Sequence, residues 1–173
     1  MPLLCAIYIA VAPTSNTIGL KQLSLTWSLL VLNFCILLFF GFDTTNASFQ
    51  FVNRYNWFGI FNFNINLGVD SISLCMILLT AFLVPSCILL CWSYSVNRHV
   101  KTYLIAFLSL ESILFGVFCS LDLLVFYILF EAVLIPMFVI VGIFGSKQRR
   151  SRAAYLLFFY TLTSSVLILL CII

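Results

Sequence analysis

Charge is scarce in this chain. Asp, Glu, Lys and Arg make up only 8% of its 173 residues, and 64% are hydrophobic. A soluble globular domain carries about 25% charged residues, so the composition excludes a fold whose surface faces water. Glycine is thin as well. The 7 glycines are scattered and form no turn that could cradle a phosphate. His99 is the single histidine, and the seven cysteines form no C-x-x-C pair. Cys87 and Cys91 share a helix face, but a metal site needs further convergent ligands. No metal-binding or cofactor-binding residue is expected in this chain. Neither a nucleophile elbow nor a nucleic-acid motif occurs, so no nucleic-acid partner is expected.

Long apolar runs are what the chain has instead. A helical span of a bilayer needs roughly 20 residues. The runs are continuous rather than alternating, which favours helices over a barrel. The sequence therefore predicts an all-α, polytopic transmembrane bundle, one domain over 1–173 with about six spans. They fall at 2–13, 23–42, 70–92, 102–120, 122–145 and 153–173, with Pro85 as an expected kink. The first is short: a helix that has lost its start, or a segment at the interface. A secretory signal is not expected, because no positive charge precedes it.

Basic residues orient these spans. Lys21, Arg98, Lys101, Lys147, Arg149, Arg150 and Arg152 fall on one side, and only Arg54 on the other. Positive charge marks the cytoplasmic or matrix face. The N-terminus, the 43–69 loop and the C-terminus are then expected on the opposite face. The run "KQRRSR" (147–152) reads as a topological anchor; binding to anionic lipid or to a soluble partner is the alternative. In the 43–69 loop, "FNFNIN" nearly alternates, predicting extended or hairpin structure. Asn46-Ala-Ser48 fits a glycosylation sequon, which would matter only in a secretory-pathway protein.

Buried acids remain. In "FYILFEAVLIPMF" (126–138), Glu131 has no basic residue within fifteen positions on either side. Glu111 lies ten residues before Leu121 and Glu131 ten after it. At 1.5 Å per residue both sit about 15 Å from that turn, near the middle of a hydrocarbon core roughly 30 Å thick. An intramembrane carboxyl usually faces a bundle interior or water. One whose charge answers to a nearby cation can carry a proton; the alternative is a hydrogen bond that glues helices together. Pro136 frees the carbonyl of Ala132 beside Glu131. Asp70 and Asp122 stand at helix starts, where acids cap backbone N–H groups. "YTLTSS" (160–165) presents a hydroxyl stripe, as helix glue or as a support for water beside a proton path.

Three stretches carry a resemblance: "GVDSISLCMILLTAFLVP", the hairpin-like loop before it, and "DLLVFYILFEAVLIPMFVIVGIFGSKQRRSRAAYLLFFYTLTSSV". Over about residues 49–170 the chain resembles the NADH–ubiquinone oxidoreductase chain 4 family, antiporter-like subunits in the membrane arm of respiratory complex I. The resemblance implies that Glu131 is the acidic member of a proton-translocating pair. Glu111 falls in a helix where some members carry an acid. It also implies a location in the mitochondrial inner membrane, with the N-terminus on the intermembrane-space side and other membrane-arm subunits as partners. NADH, FMN, iron–sulfur clusters and ubiquinone would be handled by partner subunits, with no redox centre in this chain. The family has about fourteen spans and its channel lysines lie in later helices, whereas no lysine falls within the spans predicted here. The expectation is an N-terminal portion, either truncated or completed by a second polypeptide. A subunit of a related cation/proton antiporter or hydrogenase complex is one alternative; a non-conducting membrane scaffold is the other.

Overall fold

The computed structural model describes residues 2–12, 17–43, 48–58, 63–93, 99–145 and 149–172. Asn46 of the sequon, Arg98 and Lys147 lie outside these residues. Along the chain come α1 (Pro2–Val11), α2 (Thr17–Phe40), β1 (Gln50–Phe58), β2 (Phe63–Val69), α3 (Ser71–Ser93), α4 (Val100–Cys119), α5 (Leu123–Phe144) and α6 (Arg150–Ile172). Helices α2 to α6 are long and apolar enough to cross a membrane. The chain is a multi-pass helical membrane protein with a two-stranded hairpin added. At 10 residues, α1 rises only about 15 Å, half a hydrocarbon core.

Contacts fall into two compact units, with the division inside α4 between Ser112 and Ile113. In the first unit, α1 turns Cys5, Ala6 and Ile9 into a core shared with Val84 and Ile88 of α3 and Val100, Leu104 and Leu108 of α4. Helical spacing puts each set on one face. Lys101 Nζ donates to the carbonyl of Ala12 at 2.8 Å. A carbonyl just past the end of α1, which no helical N–H reaches, is thereby satisfied by a cation near the negative helix end. Helix α2 begins at Thr17, ahead of the predicted 23, so Lys21 stands in its second turn and is largely buried. A lysine stem is apolar enough to be covered there. Two lysines, Lys21 and Lys101, therefore lie near helix starts rather than in loops.

In the second unit, β1 and β2 pair antiparallel, with Asn53 opposite Leu67 and Arg54 opposite Asn66. The register shifts between Gln50 and Asn53, where Phe51 has φ 54°. An irregularity of this kind bends one strand of a pair.

The hairpin is fastened to the turn between α4 and α5. Leu121 N–H donates to the carbonyl of Asn66 at 3.0 Å, and Leu67 forms an antiparallel bridge with Ser120. Asp122 occupies the N-cap position of α5, but its side chain makes no capping hydrogen bond. Its carboxylate instead accepts from Asn66 N–H at 2.8 Å and Asn66 Nδ2 at 3.1 Å. The capping role expected from the sequence gives way because one asparagine offers both oxygens a donor. Beside this clamp a Cβ at Gly68 would lie 2.8 Å from Leu121 Cδ1, so any larger residue there would displace the Leu121 side chain.

Hydrogen bonds to a charged group contribute about 1.5–3 kcal/mol. Asp122→Ala removes two and strands the Asn66 N–H. We expect a local destabilisation of about 2–3 kcal/mol, read as faster amide exchange in β2 while α6 keeps its protection. Unchanged exchange in β2 would show that the clamp does not hold the hairpin.

Candidate functional site

Helices α5 and α6 form an antiparallel pair within the second unit. A Cβ added at Gly142 would stand 3.9 Å from Ala154 Cβ, so two small residues face each other where the backbones approach. One turn along, Phe138 makes edge contacts with Tyr155 and Phe158, at centroid distances of 5.9 and 5.8 Å. Each step back along α5 is matched by an equal step forward along α6. Carried on, this register brings Glu131 opposite Ser165.

Ser165 Oγ lies 2.9 Å from Glu131 Oε1. Tyr127, one turn earlier on α5, donates its phenolic proton to the same oxygen at 2.6 Å. Tyr127 and Glu131 meet because residues four apart share a helix face. Oε2 makes no hydrogen bond among the described residues. Glu131 is half-buried and Ser165 fully buried. Helix α5 continues through Pro136, which is itself buried. Proline has no N–H, so the carbonyl of Ala132 lacks its usual helical donor next to the acid.

The hydroxyl stripe on α6 divides sharply. Thr161, Thr163 and Ser164 donate back to carbonyls of their own helix, those of Leu157, Phe159 and Tyr160. This is the ordinary habit of such residues inside helices. Ser165 is the member of the stripe that crosses to α5.

Glu111 belongs to the first unit and Glu131 to the second. Glu111 has 0% exposure, and neither carboxyl oxygen has a hydrogen-bond partner among the described residues. It prolongs the stripe of Val100, Leu104 and Leu108, whose spacing keeps one helix face. The neighbouring serines do not serve it. Ser109 donates to Ala106 O and Ser112 to Ser109 O. Among the described residues no three His, Cys, Asp or Glu side chains converge as a metal site would require.

The family described as "NADH:quinone oxidoreductase/Mrp antiporter, TM" matches residues 120–173, the stretch holding α5, α6 and Glu131. Similarity to NADH-ubiquinone oxidoreductase chain 4 runs along almost the whole chain. Identity is 45% with the Marchantia polymorpha protein and 44% with that of Arabidopsis thaliana, each over 99% of this chain. With the Chondrus crispus protein it is 47% over 98%. The chain is a homologue of NADH–ubiquinone oxidoreductase chain 4. It spans about a third of the length of these relatives, 34% in each case. The chain 4 likeness includes α1, whose packing against α3 and α4 lies outside the family match at 120–173.

Sequence reasoning singled out Glu131 and Glu111 but passed over Tyr127. Its signal was present in "FYILFE", where a tyrosine stands four residues ahead of the acid. Ser165 was noted only as one hydroxyl of a stripe. Nothing local distinguishes it from Ser164, because the choice depends on the α5–α6 register.

Proposed function

We propose that this chain is the N-terminal portion of a proton-translocating membrane-arm subunit of NADH:ubiquinone oxidoreductase, with Glu131 as the proton-carrying acid. The observation that carries the reading is the Glu131 carboxyl group. One oxygen is held by Tyr127 and Ser165, and the other is without a partner among the described residues. Such a group is oriented yet still open to exchange a proton with water or to meet a cation. Glu111 is proposed as a second acid of the path, reached through its own unit. The expected setting is the mitochondrial inner membrane, with the N-terminus on the intermembrane-space side. Other membrane-arm subunits, and a second polypeptide supplying the later helices, are the proposed partners. NADH, FMN, iron–sulfur clusters and ubiquinone belong to other subunits in this reading.

One experiment tests the assembly and the orientation together. A cysteine is placed at the exposed Ser151 near the start of α6 and labelled in sealed membranes before native electrophoresis. The label should enter only from the matrix side and migrate with a very large complex. Recovery as a well-folded monomer would count against the assignment. Labelling only from the opposite side would overturn the orientation.

A further inference from the structure

We propose that Tyr127 and Ser165 are positioning residues for Glu131, and that the Ser165 hydroxyl is a one-proton switch whose direction follows the charge on Glu131. The inference deepens the proton-carrying role proposed for Glu131 and rests on it.

Two acceptors compete for Ser165. Its Oγ stands 2.9 Å from Glu131 Oε1 and 2.9 Å from the carbonyl of Leu162, one turn back on α6. A serine hydroxyl has a single proton to donate, so at any moment it serves one of the two. The side chain is fully buried. Tyr127 is differently placed. Its bond to Oε1, at 2.6 Å, is made within α5 and does not depend on how α6 packs.

The charge of Glu131 decides the competition. As a carboxylate, Oε1 is an ionised acceptor, and bonds to ionised groups are roughly twice as strong as neutral ones. Ser165 then points to Glu131. A hydronium ion delivers its proton to Oε2, leaving water, because Oε1 is already engaged by Tyr127. Oε1 becomes the carbonyl oxygen of a neutral acid. An amide carbonyl is a stronger hydrogen-bond acceptor than the carbonyl of a neutral carboxylic acid, so at equal distances Ser165 now turns to Leu162. No covalent bond of Ser165 breaks; its hydroxyl proton only rotates from one acceptor to the other. Loss of the proton from Oε2 to water reverses the sequence. The charge on α5 is thereby reported to the backbone of α6.

Infrared difference spectroscopy on the assembled complex, stepped in pH, separates the two states. The acid and carboxylate bands of Glu131 are assigned by their loss in Glu131→Gln. Tyr127→Phe should shift both bands, since Tyr127 donates to Oε1 in each state. Ser165→Ala should shift the carboxylate band and leave the acid band in place. Ser165→Thr, which keeps the hydroxyl, should leave both unchanged. Tyr127→Phe and Ser165→Ala each remove one bond to a charged group, and in each coupled pumping should fall about tenfold.

A shift of both bands in Ser165→Ala would mean a fixed bond and overturn the switch. Unmoved bands in both Tyr127→Phe and Ser165→Ala would overturn the positioning roles as well. Should Ser165→Ala fail to assemble, Tyr127→Phe and Ser165→Thr decide, because neither removes the contact across the helices. A shifted carboxylate band in Ser165→Thr, or none in Tyr127→Phe, would then overturn the inference. Intact pumping in Glu131→Gln would instead overturn the proton role itself, whatever the bands of the other variants show.

Discussion

Glu131→Gln is expected to assemble normally and to lower coupled proton pumping at least about tenfold, equivalent to about 1.4 kcal/mol on the barrier. The geometry makes this substitution unusually clean. Among the described residues both hydrogen bonds to the side chain arrive at Oε1, from Tyr127 and Ser165. An amide oxygen in the same place accepts both, so the link between α5 and α6 survives. What disappears is titration. Were the acid only glue between helices, the amide would restore function almost completely. Glu131→Asp should fall between wild type and the amide. It keeps the acid but retreats by one methylene, which loosens the reach to Ser165. Assembly is measured on native gels beside the proton-to-electron ratio and the rate. A fully assembled Glu131→Gln complex with both quantities unchanged would remove Glu131 from the proton path.

Glu111→Met is likewise expected to separate stability from activity. The carboxyl is fully buried, and neither oxygen has a partner among the described residues. It continues an apolar stripe of α4, so a flexible apolar side chain of similar length fits the site. Replacing buried ionic groups by well-packed apolar ones is often neutral or stabilising, by about 1–4 kcal/mol. Assembly should therefore be retained, and the thermal midpoint of the complex should hold or rise. Coupled pumping should nevertheless fall about tenfold if the acid carries protons. A purely structural Glu111 predicts reduced assembly instead. Unchanged assembly together with unchanged pumping would take Glu111 off the path.

The helical architecture was legible because a bilayer imposes a length and a composition that local sequence must satisfy. Five helices of spanning length follow from runs of apolar residues. The alternation in "FNFNIN" pointed to the extended hairpin between α2 and α3. Glu131 and Glu111 stood out for the same kind of reason: a carboxyl in an apolar run is visible without knowing its neighbours. Helix starts were less legible. Lys21 read as a loop residue, yet α2 begins ahead of it, since a charged head on an apolar stem is compatible with either place.

Partners lay beyond the reach of local pattern. Asp122 looked like a helix cap, and its position is one, but its carboxylate binds an asparagine 56 residues earlier in the chain. The crossing of Ser165 to Glu131, rather than of Ser164 or Thr161, depends on the register set by Gly142 against Ala154 and Phe138 against Phe158. The isolation of Glu111 depends on the serines beside it turning to their own backbone. By itself the sequence determined the spanning helices and the two acids within them, because hydrophobicity and helical period are local properties. Only the tertiary structure decided which donors reach those acids, because a hydrogen bond requires atoms about 3 Å apart, and that proximity is set by how the helices pack.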